Sequence, residues 1–315
     1  MGTSGRQTVE PHGMKKLRSR GEKEKGRFTE PRRYKFSPIL FLVLFACFAV
    51  NSYSQDLDVI KANLTSGNTE LKRNALYQIR VIRSEAASRL AVPLLSDANE
   101  IVRATAASSL IGLSESEIAV QLRPLLLNDR SAFVRREAAY ALRDNRTGIN
   151  TSALIKLMLE DKELEVRAAA ATALGTSDIL TVNWLKKVLE KKPNDDNEFL
   201  RRSATRSIGH IAELATSRNL SKSTPENFLP DKYKSGYSGK VDRSFVSQSP
   251  EFRQAVAILS KVLQNTREAD DTRREAAFAL GSIGDPSSAA ILRSYLNSPD
   301  IYLAEICKEA LIKLN

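Results

Sequence analysis

One nine-residue pattern recurs seven times along this chain and leaves few folds open to it. The copies are LKRNALYQI from Leu71, VRATAASSL from Val102, VRREAAYAL from Val134, VRAAAATAL from Val166, LRRSATRSI from Leu200, TRREAAFAL from Thr272 and LAEICKEAL from Leu303. Their starting points step by 31, 32, 32, 34, 72 and 31 residues. A nearly constant period in an alanine- and leucine-rich chain predicts helix pairs stacked side by side. Within a copy, apolar residues fall at i, i+4, i+7 and i+8, as in Val134, Ala138, Ala141 and Leu142, which is one buried helical stripe. A shorter apolar helix precedes several copies, over residues 88–97, 118–129 and 152–161, and each ends at an aspartate that marks the turn. The predicted fold class is all-α, a right-handed α-solenoid of about six to seven helix pairs.

Six residues separate that aspartate from an arginine in four consecutive units: Asp97 and Arg103, Asp129 and Arg135, Asp161 and Arg167, Asp195 and Arg201. A pair recurring at this interval suggests a ladder running along the stack. The first unit has Ser66 and Lys72 at these positions and the last has Ser298 and Ala304, departures that suit end units with a neighbour on one side only.

These repeats resemble the HEAT-repeat family, and within it the short alanine-rich subtype named after phycobilisome lyases, whose signature is best matched by TRREAAFALGSIGD at residues 272–285. The resemblance covers about residues 57–315. It implies that the turn aspartates and helix arginines bond within and between neighbouring repeats and hold the stack rather than a ligand. It also implies that the second helix of each pair lines the concave surface. A likeness of fold does not carry lyase activity with it.

Ahead of the repeats, residues 39–50 form an unbroken apolar run, ILFLVLFACFAV, followed by Ser52, Tyr53 and Ser54 before Gln55. A basic segment, a short apolar run and small residues at the cleavage positions read as a signal peptide. The run is shorter than the ~20 residues of a membrane span. The expected organisation is a basic leader at 1–37, the signal-peptide apolar region and cleavage site at 38–54, and the solenoid at 55–315. Export to a bacterial periplasm follows, with a lipoprotein cleaved at Cys47 or a membrane anchor as the alternatives. Met14, followed by Lys15 and Lys16, is a second candidate start. Of the net charge of +11, residues 1–37 carry +7, from 11 Lys or Arg against 4 Asp or Glu, which leaves +4 for the rest. The solenoid therefore lacks the concentrated basic footprint of a nucleic-acid binder. Cys307 has no partner for an internal disulfide once Cys47 leaves with the leader.

The step of 72 residues places a long insertion at about 217–249, read as a loop because no helical period survives there. Loops of this length are either functional or unstructured, and Phe228, Tyr233, Tyr237 and Phe245 give this one aromatic character. Helix periodicity resumes at Ser249, a candidate cap, with Pro250 and Glu251 in the first turn.

On each second helix, the positions two and six residues after the pattern's start turn away from the buried stripe. They read Arg73 and Tyr77, Ala104 and Ser108, Arg136 and Tyr140, Ala168 and Thr172, Arg202 and Arg206, then Arg274 and Phe278. Large residues alternate with small ones, and an arginine four residues before a tyrosine can stack on its ring. Arg73, Tyr77, Arg136, Tyr140, Arg202, Arg206, Arg274 and Phe278 are therefore the candidate groove for a protein or peptide partner. Arginine and tyrosine are favoured carriers of interface energy.

Catalytic signatures are thin. His210 is the one histidine beyond the leader, with Glu213 three residues on and Ile211 next to it. Zinc sites want three or four ligands, and iron-binding HEAT-repeat hydroxylases use adjacent His-Glu pairs. No GxSxG, GxGxxG or GxxxxGK[ST] occurs, so neither a nucleophile elbow nor a phosphate loop is expected. No catalytic, metal or cofactor site is assigned. The predicted function is an exported, non-enzymatic adaptor or scaffold that uses the concave face. The alternatives are a lyase-like protein handling a chromophore or cofactor and a purely structural envelope component. Membrane contact is expected only if the leader is retained or Cys47 is lipidated.

Overall fold

The computed structural model describes residues 57–223 and 243–314. The leader, the apolar run and residues 224–242 of the insertion lie outside them. Seven helix pairs follow one another along the described chain. The first helices are α1 at 57–64, α3 Glu85–Ala91, α5 Glu115–Asn128, α7 Thr151–Glu160, α9 Val182–Leu189, α12 Pro250–Gln264 and α14 Ala289–Ser294. The second helices, which carry the repeated pattern, are α2 Thr69–Ile82, α4 Glu100–Ser108, α6 Ala132–Ala141, α8 Leu164–Ala173, α10 Glu198–Ser223, α13 Asp270–Ile283 and α15 Ile301–Leu314. Each second helix packs on the next second helix, and α6, α8, α10, α13 and α15 also pack on their own first helices, while α4 packs on the 3-10 turn Val92–Ser96 that follows α3, so the chain forms a two-layer α-solenoid. No strand occurs among the described residues.

The buried stripe supplies one continuous core. Val102, Val134, Val166, Leu200 and Leu303 at the pattern's first position are all buried, as are Leu76, Leu110, Leu142 and Leu174 further along it. Alanines let the second helices approach closely, and glycine does so where even a methyl would collide. A Cβ on Gly281 would lie 2.6 Å from the Ala310 Cα on the neighbouring α15. Ala104 and Ala168, expected to face solvent, are buried for this reason: they sit in the seams between successive second helices, and only the longer side chains at the same positions reach past them. Leu71 departs in the other direction and is exposed; among the described residues no earlier second helix precedes α2 to cover it.

The turns between the helices of a pair are built by the aspartates. Asp97 ends the 3-10 turn Val92–Ser96 that follows α3, Asp129 and Asp161 end α5 and α7, and each Oδ1 accepts the backbone N–H two residues on, from Asn99, Ser131 and Glu163. This satisfies N–H groups that a helix start leaves unpaired. Elsewhere Asn68 and Ser114 cap α2 and α5 with their side chains. Gly284, at φ 74°, ends α13 in the left-handed conformation that glycine adopts without cost.

The arginines join one turn to the next. Arg103 donates Nε and Nη2 to the two carboxylate oxygens of Asp129 at 2.7 and 2.9 Å, while its Nη1 donates to the carbonyls of Asp97 and Ala98. Arg135 repeats this on Asp161 and on the carbonyls of Asp129 and Arg130. Within a unit the bond therefore goes to the aspartate's backbone, and the carboxylate serves the preceding unit. Lys72 reaches Asp97 at 2.6 Å in the same sense. Burial alone would raise the Asp129 carboxyl, but the Arg103 hydrogen bond, the Ser131 N–H and the Arg103 charge together hold it below its ordinary value. The same balance holds for Asp97 with Lys72 and for Asp161 with Arg135.

Further along, the expected pairs change. Arg167 donates Nε to the Met158 carbonyl on its own first helix. Arg201, 2% exposed, is paired with Glu268; the side chain of Asp195, its expected partner, lies outside those described. Arg274, assigned to the groove, binds Asp300 at 2.9 and 3.0 Å, and Arg273 donates to the Leu263 carbonyl. Asp300 thus takes the role expected of Ser298.

The insertion expected at about 217–249 is helical at both of its described ends. Helix α10 continues to Ser223, because no glycine or proline interrupts it before Pro225 and the Thr216 and Ser217 hydroxyls bond back to the Ala212 and Glu213 carbonyls. A short helix, α11 Ser244–Gln248, precedes α12 and buries Val246. Ser249 stands at the start of α12, although its hydroxyl bonds the Glu251 carboxylate rather than a backbone N–H. Cys307 is a buried free thiol that burial pushes up to about 11.

Candidate functional site

A recess of about 450 Å³ opens across α6, α8 and α10. Its lining comes entirely from second helices and their C-terminal ends, so it opens on the side of that layer facing away from the first helices. Alternation of large and small residues creates it. On the middle helix Thr172, with Gly175 and Thr176 just beyond, forms a low floor, and Tyr140 on α6 and Phe199 and Arg202 on α10 stand above it as walls. Ser207 closes the floor from α10, and a Cβ on Gly175 would meet its hydroxyl at 3.0 Å.

The walls are cationic and aromatic. The Arg202 guanidinium lies 4.9 Å from the Phe199 ring centroid and pairs with Asp271 at 2.8 Å. Arg206, mostly exposed, stands 3.7 Å from Glu275 and donates Nε to His210 Nε2 at 3.4 Å. Arg143 and Asp144 form an exposed pair at the rim. Partial desolvation and the Arg206 charge hold the His210 imidazole below its ordinary value, so at neutral pH it is an acceptor. Partial burial pushes the Tyr140 phenol up, against the pull of Arg136 and Arg202.

Of the eight groove residues expected from the sequence, Tyr140, Arg202 and Arg206 line this recess together. Arg136 lies beside it, 5.0 Å from the Phe133 ring and paired with Glu137; the ring beneath it lies three residues upstream, where Tyr140 four residues downstream was expected. Arg73 pairs with Glu70, and Tyr77 is 64% exposed, both on α2 and outside the recess. Arg274 is taken up by Asp300 and the Tyr302 ring, and Phe278 packs edge-on to His210 with Lys313 Nζ 5.1 Å from its centroid. The sequence reading missed Phe133 and Phe199. Both sit one position before the pattern's first residue, where an aromatic followed three residues later by an arginine is the signal that marks them.

Metal chemistry of the histidine-rich kind does not fit these residues. Among the described residues His210 is the one histidine; it faces Arg206, and no group of three or more His, Cys, Asp or Glu side chains could hold a metal ion. No described helix is long and apolar enough to cross a membrane.

Comparison with known proteins matches two stretches of the chain to family models: HEAT repeats over residues 57–143 and the PBS lyase HEAT-like repeat over residues 272–298. Among curated proteins, deoxyhypusine hydroxylase of Bos taurus is 42% identical over 62 residues, covering 20% of this chain and 20% of that protein. The Homo sapiens enzyme is 44% identical over 61 residues, 19% of this chain and 20% of its own length. The chain thus matches about a fifth of these relatives. Among solved structures, the complex of CpcE and CpcF of phycocyanin lyase from Nostoc is 18% identical, covers 93% of this chain and 100% of that one, and gives a TM-score of 0.44. Human deoxyhypusine hydroxylase in complex with glycerol is 19% identical, with coverage of 84% and 98% and a TM-score of 0.37.

Proposed function

From a chain whose residues 57–143 and 272–298 are HEAT repeats, we infer a non-enzymatic scaffold that holds a segment of a partner protein on the exposed side of its second-helix layer. The observation that carries this reading is the recess across α6, α8 and α10, where Tyr140 and Phe199 stand beside Arg202 and Arg206 on a floor of small residues. Aromatic and arginine side chains around a partly desolvated hollow are the usual anchors of protein interfaces. Asp144, Asp271 and Glu275 stand beside Arg143, Arg202 and Arg206, but each guanidinium carries five N–H donors, and those left over suit a carboxylate on the partner segment. Export belongs to the same proposal and is supported by the apolar run at 39–50 and its flanking residues.

The test is a photo-crosslinking residue placed at Thr172 on the floor and, in a second protein, at Tyr77 on α2. A partner captured from Thr172 and lost in the Tyr140→Ala/Arg206→Ala double variant, with helicity unchanged, is the expected outcome. Equal capture from both positions, or capture indifferent to the double variant, refutes the recess as the contact. The match of residues 272–298 to the PBS lyase HEAT-like repeat favours the chromophore-handling alternative, and an absorbance scan of the purified protein showing a bound pigment would replace the scaffold reading with it.

A further inference from the structure

The polarity of the recess is divided between floor and rim. On the floor, the Thr172 hydroxyl donates to the Ala168 carbonyl at 3.0 Å, Thr176 to Asn145 at 3.0 Å and Ser207 to Ala171 at 2.8 Å. A hydroxyl has one proton, so all three have committed theirs to the backbone and turn only lone pairs to an occupant. The rim is the opposite. Arg202 uses Nη1 on Asp271, and Arg206 points Nε at His210 with Nη1 3.7 Å from Glu275; a guanidinium has five N–H donors, so both retain donors for an incoming anion. Between the two levels stand the Tyr140 and Phe199 rings.

Resting on the scaffold reading above, we propose that the recess selects an extended acidic segment by two features at once. One carboxylate meets Arg202 and Arg206 at the rim, and a free backbone N–H beside that residue meets the hydroxyl oxygens of Thr172 and Thr176 on the floor. A carboxylate lowered onto Thr172 and Thr176 would meet hydroxyls whose protons are already given to carbonyls. An amide side chain at the rim would forgo the charge-assisted bonds that arginine makes best. The arrangement therefore favours glutamate, whose two methylenes span the aromatic walls, followed by a residue with an unblocked N–H. It disfavours glutamine and any acidic residue followed by proline.

The probe is the peptide Gly-Ser-Glu-Gly-Ser-Gly amide displayed on streptavidin, where multivalency raises a weak affinity into the measurable range, titrated against the full chain. Two further peptides replace Glu by Gln or methylate the nitrogen of the glycine that follows it. Replacement by Gln is expected to weaken binding by about tenfold, and methylation by several-fold, given the ordinary strengths of charged and neutral hydrogen bonds. In the Thr172→Val/Thr176→Val variant the methylated and unmethylated peptides should bind alike while Glu still outcompetes Gln. Equal binding of all three peptides to the wild-type protein, at a site sensitive to Tyr140→Ala, overturns the selection and leaves the scaffold reading standing. An absence of peptide binding overturns the selection as well. If the Thr172 crosslinker then captures no partner either, both readings fall.

Discussion

The constant-period part of the array and the part beyond the insertion solve the same problem with different residues. Between α2 and α7 the repeat step is 31 or 32 residues, and one bond recurs: Lys72 to Asp97, Arg103 to Asp129, Arg135 to Asp161. Beyond α8 the step lengthens to 34 and then to 72, and the partners are exchanged. Arg201 reaches across the insertion to Glu268, and Arg274 rather than Arg273 takes Asp300. Arg167 on α8 bonds the Met158 carbonyl of its own first helix; at the other described seams the fold preserves a cation matched by a carboxylate from a later turn. Arg274 and Asp300 lie 26 residues apart, the same separation as Arg103 and Asp129, so both partners have moved along their helices together. A repeat protein can lose its period and keep its seam, provided some carboxylate arrives where the buried guanidinium needs one.

That comparison breaks most sharply at Glu268. Its removal leaves Arg201, 2% exposed, without its counter-charge, and Glu268→Ala is expected to cost about 3–5 kcal/mol in urea unfolding. Asp161→Ala, in the regular part, is expected to cost about 2–3 kcal/mol, since the Arg135 side chain is 9% exposed against 2% for Arg201, while both arginines keep backbone carbonyls. Equal losses would mean that the insertion has not changed how hard the seam is held.

Acid should sharpen the contrast. Asp97, Asp129 and Asp161 are held below their ordinary values, so the stability they contribute is present above about pH 4, the unfolded aspartate range, and is lost as pH falls through their lower folded values. Hydrogen exchange below pH 4 should therefore show α2 to α7 opening in a step that the Asp161→Ala variant shifts to higher pH. His210 has the same sign at a higher window: its depressed value means that protonation favours the unfolded chain as pH falls below about 6.5, and α10 should loosen there first. The smallest effect belongs to Lys72→Ala. Its bond to Asp97 joins the first described unit to the second, and a loss within about 1 kcal/mol is expected from denaturant midpoints. A larger one would make that end unit as coupled as the interior.

The helix pairs were legible because a period near 32 and an i, i+4, i+7, i+8 stripe are local properties of the chain, fixed by helix geometry. The turn aspartates were legible for the same reason. Their partners were legible only through the family resemblance, which implies bonds within and between neighbouring repeats; nothing in VRATAASSL itself says that Asp129 will offer Arg103 its carboxylate and Asp97 its carbonyl. The recess was half legible. Alternation of large and small residues placed Tyr140, Arg202 and Arg206 around it, but the burial of Ala104 and Ala168 depends on how closely neighbouring helices approach. Phe199 escaped notice because the pattern begins one residue after it. The end of α10 was missed because serine and threonine weaken a helical period in sequence, while their hydroxyls bond back to the helix in the fold.

The arginines that hold two turns at once also give the chain a direction. Arg103 can fasten its own turn through the Asp97 carbonyl as soon as α3 and α4 exist, yet its charge stays uncompensated until Asp129 has been made. A unit emerging from the ribosome therefore carries an unfinished contact that only its successor can complete. Growth from the first unit toward the last closes each contact in turn. A chain released early would end on a hydrated guanidinium, a terminus open to water until the next turn aspartate is in place.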